Sequence, residues 1–351
     1  MHCRSVAALL AVATSLLVAL PSVAAPKVQY KIVTASERGT YIQIGRDIAK
    51  FVAPPADIEL EVLPSAGSAE NVERLRYELG VKIAMVQSDV YQAFLDLAAG
   101  GNADAEKLIQ PLRVIMPLYN EEIYFIARSD SPLNFVHEIR NAKINVGPLR
   151  SGTAMSATTI YRQMFGNTIP EDNTSYLSNE AALVKLIDDK TVDVVVVVAG
   201  QPARLLVDMK PEARQLIKLL KFDASNAAGT AALKTYFPAT VRASSYPNLL
   251  TEDVSAVAVK AFLVTYDYKV APTTARLGAF ARSLCDNLAR LQAQGHPKWR
   301  EVDLRLPELG QGWSYSPLTE RALRNCGADR PAAAGPVRVC SQNERILGLC
   351  K

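Results

Sequence analysis

Apolar residues recur along this chain in two alternating rhythms: short, nearly continuous runs, and longer stretches spaced by three and four residues. Val28 to Thr34 is a strand candidate, and Thr40 to Val52 follows with Tyr41, Ile44, Ile48 and Phe51 on one helical face. Next come an apolar strand at Ile58 to Leu63, a helix at Ser68 to Leu79 with Val72, Leu75 and Leu79 aligned, and a strand at Lys82 to Val86. That alternation predicts an α/β fold with a mainly parallel sheet. A second unit opens after Leu112 to Leu118, an apolar strand containing Pro117. Its strands are expected at Ile123 to Ala127, Ile144 to Val146 and Val194 to Val198, and its helices at Ala154 to Phe165 and Glu180 to Asp188. Five consecutive valines suit a strand covered on both faces, and their β-branching disfavours a helix.

Beyond Lys221 the rhythm breaks. "YFPATVRASSYPNLL" has prolines and short extended pieces, Val254 to Val264 is apolar again, and Ala279 to Gln294 reads as a helix. If the chain returns to the first unit here, two strands join the lobes as a hinge. The expected organisation is then residues 25–118 in lobe I, 119–221 in lobe II, 222–308 returning to lobe I, and an irregular tail over 309–351.

Length and composition agree with two lobes, since 351 residues that are 49% hydrophobic can bury a large core. At the N-terminus, Arg4 precedes an apolar stretch from Val6 to Leu20, then Pro21 and small residues, the pattern of a secretory signal cleaved after Ala24. An uncleaved membrane anchor is the competing reading, but the run is short for a span. Losing residues 1–24 removes one arginine and no acid, leaving 38 basic against 35 acidic residues, too even a balance to argue for nucleic acid. Apart from Cys3 the cysteines are Cys285, Cys326, Cys340 and Cys350; an even count in an exported chain points to two disulfides, for which Cys285 with Cys326 and Cys340 with Cys350 is the pairing adopted. Zinc is the rival, without a C-x-x-C motif and with His296 as the one nearby histidine.

Candidate chemistry sits where strands run into helices. In "NVGPLRSGTAMSATTIYRQMF" a strand passes through a glycine turn into a helix starting near Ser151. The first amides of a helix lack intrahelical acceptors, and with the positive end of the dipole they favour an anion. Ser151 is equally suited to be a plain N-cap. Gly147 and Gly152 have the G-x-x-x-x-G spacing of a phosphate loop, but Thr153 stands where that loop needs lysine. Similar junctions occur at "TASERGTY", "LPSAGSAEN" and "VQSDVY", and in doubly wound sheets such turns face one cleft. An enzyme is a poorer fit: beyond the leader only His137 and His296 occur, there is no G-x-S-x-G elbow, and the paired acids Glu121-Glu122 and Asp188-Asp189 read as solvated surface or hinge positions.

The succession "TASERGTYIQIGRDIAKFV", "LPSAGSAENVERLRYELGVKIAMVQSDVYQAF", "INVGPLRSGTAMSATTI", "VDVVVVVAGQPARLL" and "YFPATV…SYPN" resembles the TAXI family of solute-binding receptors of tripartite ATP-independent periplasmic (TRAP) transporters, over Lys31 to about Tyr266. The Q-S-D triplet and the G-x-x-x-S-G-T turn are its most specific marks. The resemblance implies a type II periplasmic binding protein fold that closes about a hinge. It also implies no cofactor or metal, a small organic acid or amino acid as ligand (glutamate or 2-oxoglutarate among the family's carboxylates), delivery to a TRAP membrane subunit, and a monomer in the periplasm. A periplasmic sensor of the same fold would share the pocket. The ligand contacts implied are Gly39, Thr40, Tyr41, Ser65, Gly67, Ser68, Gln87 and Ser88 from lobe I and Ser151, Gly152, Thr153, Gly200 and Gln201 from lobe II. Two departures stand out. Ser36-Glu37-Arg38 replace a glycine-rich first turn, so that Arg38 either pairs with a second ligand carboxylate or faces solvent, and "LGQGWSYSPL" stands where a histidine, proline and glycine segment is usual.

Overall fold

The computed structural model describes residues 27–310 and 312–329. The proposed leader and the Cys340–Cys350 pair lie outside the described residues. Lobe I opens with β1 (Val28–Val33), α1 (Thr40–Phe51), β2 (Ile58–Leu63), α2 (Ser68–Tyr77), β3 (Val81–Gln87), α3 (Ser88–Ala99) and α4 (Ala103–Ile109). The chain leaves it along β4 (Leu112–Arg128) and builds lobe II from β5 (Ile144–Asn145), α5 (Gly152–Phe165), β6 (Thr174–Ser175), α6 (Asn179–Val184) and β7 (Val194–Ala199). Shorter pieces follow: α7 (Arg204–Val207), α8 (Ala213–Leu216), β8 (Ile217–Leu219), α9 (Ala227–Ala232) and β9 (Phe237–Val241). Then β10 (Val254–Tyr266) runs back to lobe I, which α10 (Ala271–Gln294) and α11 (Pro317–Asp329) complete.

The strands form one sheet in the order β2-β1-β3-β10-β4-β7-β5-β6, with β8 beside β4 and β9 beside β10. Pairing is parallel at its two ends and antiparallel in the middle, where β10 meets β3 and β4, and β4 meets β7. The sheet is therefore mixed rather than mainly parallel, because the two long strands that join the lobes run in opposite directions. Leu112 to Tyr119 pack into the lobe I core, while Ile123, Phe125 and Ala127 pack into lobe II. On the return strand Val257 and Val259 belong to lobe II and Ala261 to Val264 to lobe I. At this crossing Pro117 faces Phe262, and the register shifts between Lys260 and Phe262. Proline cannot donate to the ladder, so the pairing is interrupted where the two strands pass between the lobes.

Two strands expected from the pattern, Leu112 to Leu118 and Ile123 to Ala127, are one strand here, β4. The polar residues Tyr119, Asn120, Glu121 and Glu122 broke the apolar run without breaking the strand. In β7 alternate valines serve different cores, Val194 and Val196 on one face and Val195 and Val197 on the other. That is the two-faced burial a continuous valine run encodes.

Other expectations need correction. Leu79 does not continue the buried face of α2: the helix ends at Tyr77, Glu78 is extended, Gly80 turns the chain with φ of +86°, and Leu79 is 92% exposed. Helix α10 begins at Ala271, eight residues before the apolar rhythm becomes clear. The tail from Leu309 is not wholly irregular, since α11 packs against α10 and Cys285 is bridged to Cys326 between them. Among the described residues no helix is long and apolar enough to cross a membrane.

Candidate functional site

A cavity of about 120 Å³ lies between the lobes. Lobe I lines it with Ala35 to Tyr41 except Glu37, with Ala66 to Ser68 and with Gln87, and the crossing strand β4 adds Glu121. Lobe II contributes Pro148, Ser151 to Thr153, Ser178 to Glu180, Val197 to Ala199, Ala203 and Leu205. Strand ends and helix starts make most of that wall, as the right-handed β–helix alternation dictates.

Three helix starts converge. Gly67 is the N-cap of α2, Gln87 of α3 and Ser151 of α5. A Cβ placed on Gly152 would overlap the Gln87 amide oxygen and lie 2.8 Å from Ser68 Oγ, so the three meet only because residue 152 has no side chain. Gly67 carries φ of +130° and stands against the Gly152 amide, where a Cβ would be 3.1 Å from its nitrogen. The Ser68 hydroxyl donates to Gln87 Oε1 (3.3 Å) and accepts from the Gln87 amide (3.1 Å), which ties the α2 start to the α3 start.

The Ser151 hydroxyl is an N-cap, accepting from Ala154 N at 3.0 Å. That satisfies one of the orphan amides of α5; those of Gly152 and Thr153 have no intrahelical acceptor. The N-cap residues of α1, α2 and α3 make no side-chain cap, and in α3 the first-turn Asp89 carboxylate accepts from the Val90 amide instead. Positive dipole ends pressed together in this way repel each other unless negative charge lies between them.

The lobes also touch directly. Thr40 Oγ1 donates to the Gly200 carbonyl (2.8 Å), and the Glu70 amide donates to the Arg150 carbonyl (3.1 Å). At the rim Arg38 pairs with Asp208 at 3.1 Å and Arg150 with Glu73. Deeper in, Asp89 accepts from Ser156 Oγ (2.6 Å) and from the Tyr236 hydroxyl (3.0 Å), both of lobe II; burial raises its pKa.

Glu121 and Glu122, read from the sequence as solvated surface or hinge positions, are at the crossing but buried. Their fates differ. Glu122 accepts from Lys298 Nζ (2.8 Å) and from the Gln201 amide (2.8 Å) and side chain (2.9 Å). Among the described residues neither Glu121 Oε2 nor the nearby Tyr41 hydroxyl makes a hydrogen bond of good geometry, although the two are close enough for Tyr41 to stabilise the Glu121 carboxylate. Burial pushes the Glu121 pKa up to about 8, opposed by the Tyr41 hydroxyl and reinforced by Glu122.

Of the residues singled out in the sequence, the cavity brings together Gly39, Thr40, Tyr41, Gly67, Ser68, Gln87, Ser151, Gly152 and Thr153. Ser65, Ser88, Gly200 and Gln201 are not among the lining residues. Ser65 shapes its turn by donating to Thr34 O and Asn71 Oδ1 and accepting from Gly67 N. Gln201 spends its side chain on Glu122, Thr240 O and the Arg242 amide, bracing the hinge. Ser88 is the first residue of α3. Arg38 lines the cavity mouth with its charge engaged by Asp208. Sequence reasoning passed over Glu121 and Asn179 as site residues; an acid inside an otherwise apolar strand run was the available signal for the first.

The chain is similar to the solved structure of the periplasmic binding protein BugD, with a TM-score of 0.50 and 13% identity over 87% of this chain and 95% of that one. It is also similar to the alkanesulfonate-binding protein SsuA from Xanthomonas axonopodis pv. citri bound to MOPS, with a TM-score of 0.43 and 15% identity over 88% of this chain and 86% of that one. The likeness to BugD establishes the two-lobed periplasmic binding protein fold. Residues 32–322 match the NMT1-like family, and the chain therefore belongs to the NMT1-like family.

Proposed function

We propose that the protein is a periplasmic receptor that captures a small organic carboxylate by closing its lobes and hands it to the membrane subunit of a TRAP transporter. The observation that carries the first part is the meeting of the α2, α3 and α5 starts at Gly67, Gln87 and Gly152. An anion there accepts from amides of both lobes, each charge-assisted bond contributing roughly 1.5 to 3 kcal/mol, and most of those bonds exist only when the lobes are together. Binding thus favours the closed arrangement through contacts the open one lacks. The transporter partner and the compartment rest on the TAXI resemblance and the leader-like N-terminus. Glutamate and 2-oxoglutarate are of the right size class for a cavity of about 120 Å³ with ordinary side-chain movement.

The test is a thermal-shift screen of the protein lacking residues 1–24 against mono- and dicarboxylates, amino acids and sugars, followed by calorimetry on the best ligand. Thr153 is the probe, since it lines the cavity beside the Gly152 amide and its side chain is not needed to cap α5. Thr153→Val keeps the shape and should weaken carboxylate binding about tenfold, the loss of one net hydrogen bond to a charged group. Stabilisation by sugars alone, or an unchanged affinity in the variant, would sink the reading.

A further inference from the structure

We propose that the ligand carries a primary ammonium group beside its carboxylate, and that Glu121, helped by Tyr41 and Asn179, selects it. This rests on the carboxylate reading above and narrows it to α-amino acids.

Three residues that line the cavity each have a buried polar atom without a well-formed hydrogen bond among the described residues: Glu121 Oε2, the Tyr41 hydroxyl and Asn179 Oδ1. Glu121 is 3% exposed and Tyr41 4%, so bulk water does not serve them. Asn179 Oδ1 can only accept, Glu121 can only accept once ionised, and the hydroxyl accepts while it donates. An ammonium group has three N–H donors and no acceptor, and matches that set in number and kind.

Charge points the same way. The groups that face Glu121 are Tyr41 from α1, Glu122 beside it on β4, Asp89 from α3, and Lys298 from the segment after α10. Lys298 is the one cation among them, and it is already shared between Glu122 (2.8 Å) and Glu301 (2.9 Å). The cavity wall itself holds Glu121 and Glu180 against Arg38, whose charge goes to Asp208. A buried carboxylate without a counter-ion is costly, and its usual escapes are to keep a proton or to meet a cation. Burial raises the Glu121 pKa to about 8, which is the first escape; an incoming ammonium supplies the second, displacing the proton to solvent.

Position narrows the ligand further. The Tyr41 hydroxyl stands close enough to both Glu121 and Ser68 for each to alter its titration, and Ser68 belongs to the converging helix starts. Tyr41 and Glu121 thus adjoin the donor set, as the ammonium and carboxylate adjoin each other in an α-amino acid.

Matched pairs differing only in the α-amino group (L-glutamate and glutarate, L-aspartate and succinate, L-leucine and 4-methylpentanoate) test this by calorimetry on the full mature chain. In the best-bound pair the amino form should bind at least tenfold tighter, with one proton released at pH 7 as read from buffers of different ionisation enthalpy. Glu121→Gln should bring the pair to within a few fold and abolish the proton release; Tyr41→Phe, which keeps the ring, should narrow the gap severalfold and covers the case in which the glutamine variant does not fold. An equal or tighter des-amino ligand, a preference that survives E121Q, or affinity that falls as pH rises through 8 overturns the proposal and leaves the carboxylate reading standing. Simple amines that bind the wild type but not E121Q, with no carboxylate bound, would sink the carboxylate reading instead and keep the role of Glu121. Silence from every probe on a folded protein defeats both.

Discussion

The cavity has two polar regions that are made differently. On the wall where α2, α3 and α5 begin, the hydrogen-bonding groups are backbone amides, held in place by helices and brought near each other by Gly67 and Gly152. On the floor, β4 presents Glu121, with Tyr41 and Asn179 near the same space, and the hydrogen-bonding groups are side chains stranded from water. The wall offers donors whose geometry the fold guarantees; the floor offers acceptors whose presence the fold must tolerate. Asn102 caps α4 by accepting from the Asp104 and Ala105 amides, whereas Gly39 and Gly67, at the cavity, have no side chain with which to cap.

The strongest way to break this contrast is at Gly152. Any side chain there must displace Gln87 Oε1 and Ser68 Oγ, so Gly152→Ala should swing the Gln87 amide out of the wall or hold the lobes apart. Because either movement relieves the clash, the melting temperature without ligand should hardly move, while carboxylate affinity falls by about a hundredfold or more through the loss of charge-assisted bonds at the disturbed wall. Small-angle scattering with saturating ligand would show whether the variant still compacts. A closed, tight-binding G152A would mean that the helix starts are not what holds the anion.

The wall was legible in the sequence and the floor was not. A glycine or serine where a strand gives way to a helix is a local signal, and Gly39, Gly67, Ser68, Gln87, Ser151, Gly152 and Thr153 could all be found from such junctions. What Gln201 or Ser65 does with its side chain depends on which distant segment meets it: Gln201 reaches Glu122, 79 residues away in the chain, and no local pattern holds that. Glu121 was misread for the same reason, since acids adjacent in sequence are usually solvated. Only the crossing of β4 between two cores, with neighbours on both sides, buries it. The broken apolar run at Tyr119 to Glu122 also hid the continuity of β4, and Gly80 stopped α2 where the spacing alone ran on to Leu79.

The floor can be probed without any ligand. Glu121 titrates near pH 8 in the folded chain and near the ordinary carboxylate value, about 4.3, when unfolded. The folded state therefore holds a proton that the unfolded chain releases. Its contribution to stability is intact below about pH 4, declines as pH rises between the two values, and is lost above 8, at about 1.4 kcal/mol for each unit separating them. Glutamine resembles the neutral acid at all pH. Glu121→Gln should thus melt with the wild type at pH 4 and above it at pH 9, by several degrees in the ligand-free protein. Asp89, whose pKa burial also raises, is present in both proteins and cancels in the difference. Parallel melting curves across that range would show Glu121 to be ionised throughout, and the floor to be better served than its geometry shows.

The smallest effect sharpens the wall. Ser151 was the sequence's first candidate for a ligand contact, yet its hydroxyl oxygen is spent on the Ala154 amide. If capping is its main work, Ser151→Ala should cost about 1 kcal/mol of stability, a fall of a few degrees in melting temperature, whether or not ligand is present. Affinity should then decline only severalfold, through the looser placement of the Gly152 and Thr153 amides, and by less than in Thr153→Val. The opposite order, with melting unchanged and binding gone, would move Ser151 from the scaffold into the group that grips the ligand, and would make lobe II's hydroxyls rather than its amides the partners of lobe I.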